Sequence, residues 1–177
     1  VLFADIVGFT VLSQHITATE LVTGLDLLFS QFDELAEKHG LEKIKTIGDA
    51  YMAVSGLPVQ RENHAESAAR MAMEMLEVVS QFRELGEGAN LQVRIGLHTG
   101  EVVAGIIGKK KFAYDLWGDA VNTASRMESH GEAGKIHVSE EFAQALLTAS
   151  TPLTLHERGI LSIKGKGELR TYFLTQQ

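Results

Sequence analysis

Residues 42–56 read EKIKTIGDAYMAVSG. Two short strand-forming runs lie on either side of Gly48-Asp49, a turn dipeptide in reversed order, and predict a hairpin. Upstream, VLFADIVGFT at residues 1–10 is an apolar, β-rich strand ending at Gly8, and a helix follows. Thr17 or Thr19 is its candidate cap. From Leu21 to His39 apolar residues recur at helical spacing (Leu21, Leu25, Leu28, Phe29, Phe32, Leu35), and Gly40 stops the run. Downstream, Leu57-Pro58 breaks the strand and a helix is expected from about His64 to Leu85. LQVRIGLHTGEVVAGIIG then reads as two strands meeting at Thr99-Gly100, and residues 109–129 run from a basic turn through a strand into a helix from about Asp119. A strand at residues 135–138, a helix at 140–148 and a hairpin around Gly165-Lys166-Gly167 complete the chain. The order βα, ββ, α, ββ, α, β, α, ββ places strand pairs between helices. That pattern predicts one α+β domain over residues 1–177 with a mostly antiparallel sheet, not a doubly wound parallel one.

Composition narrows the function. The 177 residues are 45% hydrophobic and 22% charged, the mix of an ordinary globule. With 16 basic and 23 acidic residues the net charge is −7, which argues against a general nucleic-acid binder. Any phosphate ligand must be offset by metal ions or a few placed cations. No cysteine is present, so disulfides, thiolate zinc sites and thiol chemistry are excluded, and a reducing cytosol suits the chain. The most apolar run, residues 21–32, is interrupted by Asp26 and is too short for a bilayer, which needs ~20 residues. Because the chain opens at Val1 inside a strand, a longer parent protein is expected.

Several residues stand out chemically. Asp5 sits among Phe3, Ala4, Ile6 and Val7, all apolar and all expected to be buried. A carboxylate there is costly unless paired or metal-bound. Asp49 alone is an ordinary turn residue, but with Asp5 on a neighbouring strand it could hold hard cations as phosphoryl-transfer sites require. Gly8-Phe9-Thr10 joins a strand to a helix, the arrangement of a backbone phosphate cradle. Asn122 and Arg126 are four apart on a helix and share a face. Lys164 and Lys166 alternate with glycines in KGKG, where a flexible backbone can present ammonium groups to phosphate. Lys109, Lys110 and Lys111 read as a solvated turn. His98 reads as a hydrogen-bonded structural residue, and Phe112 and Trp117 as core or interface residues.

FADIVGFT, KIKTIGDAYM, VRIGLHTGEVVAGIIG, YDLWGDAVNTASRME and IKGKGELRTYFL, in this order, resemble the signatures of class III adenylyl and guanylyl cyclases. The resemblance spans nearly the whole chain and is nearest to bacterial homodimeric adenylyl cyclases. It implies a ferredoxin-like α/β sandwich that pairs head to tail in a homodimer, with active sites between the two copies. By resemblance, Asp5, Asp49 and the Ile6 backbone would bind two Mg²⁺ or Mn²⁺ ions, and Arg94 would contact phosphate from the same side. The partner copy would contribute Lys45 and Asp115 to read the base, Asn122 to orient ribose and triphosphate, Arg126 to stabilise the α-phosphate and Lys164 to hold the terminal phosphates. An ammonium beside a carboxylate matches adenine, whose N1 accepts and whose amino group donates; guanine reverses that edge. The resemblance therefore implies ATP as substrate, a cytoplasmic catalytic domain, a regulatory domain in the parent chain and, in some relatives, a membrane anchor outside this segment. A guanylyl cyclase is the alternative within the family. Diguanylate cyclases carry a GGDEF-type hairpin where this chain has TIGDAY, and non-catalytic relatives usually lose a metal-binding Asp or the Arg, both present here.

Overall fold

The computed structural model describes residues 1–86 and 89–177. Alternation sets the first strand: in β1 (Leu2–Val7), Leu2, Ala4 and Ile6 are buried on one side, while Phe3, Asp5 and Val7 turn to the other and are half-buried. The expectation that Phe3 and Val7 are fully buried therefore fails, because their face is only partly covered. A short helix, α1 (Phe9–Leu12), precedes α2 (Ala18–His39). Thr17 and Glu20 form a capping box at the start of α2, and Gly40 ends it at φ 71. The hairpin β2 (Glu42–Ile47) and β3 (Ala50–Val54) follows, then α3 (His64–Gln81).

Next come β4 (Gln92–Leu97), β5 (Val103–Ile107) and β6 (Ala113–Trp117). The chain finishes with α4 (Asp119–Ser129), β7 (Ile136–Ser139), α5 (Glu140–Leu147), β8 (Leu153–Ile163) and β9 (Gly167–Gln176). Seven strands form one sheet in the order β2-β3-β1-β4-β7-β9-β8. Its pairs are antiparallel except β4 with β7, as the α+β ferredoxin-like expectation requires.

Two features differ from expectation. The strands on either side of Thr99-Gly100 do not pair; β5 pairs with β6 in a separate two-stranded sheet. Both edges of β4 are already taken by β1 and β7, so no edge remains for β5. Helix α3 stops at Gln81, since Phe82 turns extended to enter the core. Leu85 then reaches α2, packed so closely on Gly24 that a side chain there would fall on it. Of the core and interface readings of Phe112 and Trp117, the structure excludes the core: they are 77% and 38% exposed, beside exposed Val103, Ile106 and Ile107 on the β5–β6 hairpin.

One face of the sheet packs on α2 and α3 through Leu28, Phe32, Met71, Met75, Ile95 and Leu97. Tyr51 is fully buried there, edge-on to Phe32 at 5.4 Å, with its hydroxyl donating to Asp33 Oδ1 at 2.8 Å. The opposite face carries Asp5 and Arg94, directly paired across β1 and β4. Helix α4 crosses this face at Gly96, where a Cβ would fall on the backbone nitrogen of Glu128. The imidazole of His137, beside Gly96 on β7, meets the Met127 carbonyl at 2.7 Å and tethers the same helix.

Gly96→Ala is therefore expected to push α4 off the sheet. Overpacking of this kind costs roughly 1–3 kcal/mol, and each kcal/mol lowers Tm by about 2–4 °C in a domain of this size. Thermal unfolding of the variant measures it; an unchanged Tm would mean that the helix is not seated on the glycine.

Candidate active site

The β2–β3 turn delivers Asp49 to β1. Gly48 takes φ 57, and the Asp49 carbonyl accepts the Ile6 N–H at 3.1 Å. The ladder between β1 and β3 continues from that point, with Asp5 opposite Ala50. Asp5 and Asp49 thus share one end of the sheet, near enough for their charges to repel. Burial, then the charges of Asp49 and Glu128, push the Asp5 carboxyl up to about 6, against the opposing pull of Arg94. The Arg94 guanidinium bridges two acids, with Nη2 3.3 Å from Asp5 Oδ2 and Nε 2.7 Å from Glu128 Oε1.

Among the described residues no three His, Asp or Glu side chains converge on one point. A cation at Asp5 and Asp49 would therefore draw on two carboxylates, backbone oxygen and oxygens of its substrate. That donor set suits Mg²⁺ or Mn²⁺, hard ions commonly held by one or two carboxylates plus substrate phosphates. The crowded, under-neutralised carboxyl pair fits such a charge.

The remaining candidates lie in separate groups. Lys45, on β2 next to a bulge, donates from Nζ to Asp115 Oδ2 on β6 at 2.6 Å. Burial pushes the Asp115 carboxyl up, but the Lys45 ammonium and the Leu116 N–H outweigh it and hold it below its ordinary range. Asn122 and Arg126 are both exposed on α4, with Ala120, Thr123, Ala124 and Met127 buried beneath them. Lys164 is exposed in the β8–β9 turn. Its neighbour Lys166 is not a free cation: it is half-buried and ion-paired with Asp119 in the first turn of α4. Gly8 is exposed at φ 92 and leads into α1, with Phe9 half-buried and Thr10 exposed. Among the described residues no hydrogen bond or ion pair joins Lys45, Asp115, Asn122, Arg126 or Lys164 to the Asp5–Asp49 pair.

Histidines stay outside this arrangement. His98 Nδ1 is 2.7 Å from Ser139 Oγ, and burial holds its imidazole down to about 4. Burial likewise holds His137 down to about 4. Both are structural, as expected for His98. Glu128 was not expected. Its one sequence signal is a carboxylate two residues beyond Arg126, which places it on another side of the same helix.

A mixed sheet backed by helices, with two acids crowded at one end and an exposed Asn-x-x-x-Arg helix, is the layout of a nucleotide cyclase domain. The chain belongs to the adenylate and guanylate cyclase catalytic domain family, whose model matches residues 1–176. It is 48% identical over 174 residues to an adenylate cyclase of Mycobacterium tuberculosis, covering 98% of this chain and 38% of that protein. It is 49% identical over 174 residues to human atrial natriuretic peptide receptor 2, covering 97% of this chain and 16% of the receptor. The guanylate cyclase domain from Catenaria anguillulae, solved in complex with GTP, superposes with a TM-score of 0.92 at 36% identity, over 99% of this chain and 94% of that one. The chain thus spans well under half the length of the curated relatives it matches.

The crowding of Asp5 gives a test. At neutral pH its ionised carboxyl destabilises the metal-free fold, so Asp5→Asn is expected to raise Tm by roughly 2–4 °C, the effect of about 1 kcal/mol. Mn²⁺ should raise the Tm of the wild-type chain and leave that of Asp5→Asn nearly unmoved. Equal responses to Mn²⁺ in the two proteins would show that the carboxyl pair is not the cation site.

Proposed function

We propose that this domain converts ATP to 3′,5′-cyclic AMP and pyrophosphate in active sites shared by two copies arranged head to tail. The observation that carries the reading is the Lys45–Asp115 pair at 2.6 Å. It sets one hydrogen-bond donor beside one acceptor, the complement of adenine's N1 and amino group and the wrong pattern for guanine. An adenylate cyclase and a receptor-type guanylate cyclase lie at similar identity, 48% and 46%, so this local pair, not overall likeness, favours ATP.

In this mechanism Asp5, Asp49 and the Ile6 carbonyl would hold two Mg²⁺ or Mn²⁺ ions. What such ions supply when bound is a lowered pKa for the ribose 3′-hydroxyl and neutralisation of triphosphate charge. Arg94 contacts phosphate from the same copy, with the backbone of Gly8, Phe9 and Thr10 beneath it. From the second copy, Lys45 and Asp115 read the base, Asn122 orients the ribose and triphosphate, and Lys164 holds the terminal phosphates. The 3′-oxygen forms a bond to the α-phosphorus in line with the breaking bond to the β-phosphate oxygen, and the hydroxyl proton passes to solvent. Arg126 stabilises the charge that grows on the α-phosphate oxygens.

Two features support a shared site. Asn122 and Arg126 are exposed and unjoined to the acidic pair within one chain. The β5–β6 hairpin presents Val103, Ile106, Ile107 and Phe112 to solvent, an apolar surface of the kind that marks a protein interface. No helix among the described residues is long and apolar enough to cross a membrane. The greater length of the relatives supports a parent chain with regulatory segments and, in some cases, a membrane anchor. With ATP as substrate, this reading includes a cytoplasmic catalytic domain.

Side-by-side incubation with ATP and GTP, each with Mg²⁺ or Mn²⁺, followed by product identification, tests the substrate. Cyclic AMP should dominate, and Lys45→Glu should lower kcat/KM for ATP by roughly 10²-fold; cyclic GMP as the main product would replace this reading with its guanylate alternative.

Mixing tests the shared site. Asp5→Ala and Arg126→Ala homodimers should each lose at least about 10²-fold in kcat, the loss seen on removing one transition-state donor. Together they should recover activity, since each heterodimer regains one intact site. No recovery in a mixture shown to contain heterodimers would refute the arrangement.

A further inference from the structure

Glu128 has no role in the mechanism above, yet it is held in a defined place. It lies in the last turn of α4 with its side chain 13% exposed, on the side turned to the sheet, whereas Arg126 faces solvent. Its Oε1 accepts from Arg94 Nε at 2.7 Å, while Arg94 Nη2 reaches Asp5 at 3.3 Å. The stem of Arg94 runs along Gly131, where a Cβ would come within 3.1 Å of Arg94 Cγ. The arginine is thus fixed on three sides.

A guanidinium is a rigid planar fork, so fixing Nε and Nη2 fixes its plane and the direction of its third nitrogen. Among the described residues nothing is hydrogen-bonded to Arg94 Nη1. Charge balance does not account for Glu128. Asp5 already neutralises Arg94, and a further carboxylate leaves one cation among Asp5, Asp49 and Glu128. Its charge crowds Asp5 further. A carboxylate that worsens the local balance must contribute something other than charge, and orientation is what its geometry supplies.

We propose that Glu128 is a positioning residue, which orients the Arg94 guanidinium so that its open Nη1 edge faces a triphosphate bound beside Asp5 and Asp49. The proposal rests on the cyclase reading of Arg94 as a phosphate contact. Glu128 itself touches no substrate. Because it sits on the helix that carries Asn122 and Arg126, it also ties that helix to the acidic end of the sheet.

The test is calorimetric binding of a non-hydrolysable ATP analogue to the full chain in excess Mn²⁺, with thermal unfolding of every variant. Arg94→Ala and Glu128→Ala should each weaken binding roughly tenfold, the loss of one hydrogen bond to a charged group. The double variant should bind no more weakly than Arg94→Ala, because the two residues act as one unit. Glu128→Gln should keep most of the affinity, since its amide oxygen still accepts from Nε, and Glu128→Asp should lose it, since the shorter carboxylate falls short. A role in charge alone requires the reverse ranking, so aspartate binding better than glutamine overturns the proposal even if the alanine variant does not fold. Wild-type affinity in Glu128→Ala, or losses that add to roughly 100-fold in the double variant, overturns it as well. If Arg94→Ala itself binds like wild type, the phosphate role of Arg94 fails and takes this inference with it. If only Glu128→Ala does, the cyclase reading stands and the inference alone falls.

Discussion

Repulsion between Asp5 and Asp49 is the constraint around which this domain is arranged. Two carboxylates at the end of a half-covered sheet oppose folding, and the Asp5 carboxyl is pushed up to about 6, first by burial and then by the charges of Asp49 and Glu128. Backbone geometry keeps them together. The Asp49 carbonyl is bonded to the Ile6 N–H, Gly48 takes the positive φ that the turn needs, and β3 pairs with β1 from there on. Core packing of Leu2, Ala4 and Ile6 on the opposite face holds the strand against the local repulsion. The fold thus sustains a local electrostatic cost at this end of the sheet through backbone pairing and core packing elsewhere.

Much of this was legible in the sequence, for local reasons. A carboxylate inside FADIV is conspicuous because its neighbours are apolar, and Thr17, Gly40 and Gly48 act within a few residues of themselves. The strand pairs on either side of Gly48-Asp49 sufficed to place the chain among α+β folds. What escaped was set by distance along the chain. Lys45 and Asp115 meet across 70 positions, and no spacing rule predicts that contact without a family resemblance. The pairing of β5 with β6, instead of β4, follows from β7 occupying an edge, a fact of topology that no local pattern carries. Trp117 and Phe112 were ambiguous because an interface residue and a core residue have the same chemistry. Glu128 was invisible for the opposite reason: a glutamate near a helix end is unremarkable until Arg94 is seen beside it.

Helix α4 shows how closely the parts depend on one another. Its buried side rests on Gly96 without an intervening side chain, its carbonyl at Met127 is tethered by His137, and its first turn is ion-paired to Lys166. Its 11 residues are thus tied at both ends. The exposed Asn122 and Arg126 therefore project from a rigid platform, the condition under which a positioned side chain is most effective.

The two buried imidazoles have a consequence for how the protein fares in acid. His98 and His137 are held down to about 4 in the folded chain, whereas a free imidazole titrates near 6.5. As pH falls from about 6.5 toward 4, the unfolded chain takes up two protons that the folded one refuses, and stability drains away over that window. Asp5 works in the other direction between about 6 and 3.8, but it is one group against two. The domain is thus acid-labile by construction, an outcome of anchoring a helix and a strand end with neutral histidines where an amide or a hydroxyl would have been indifferent to protons.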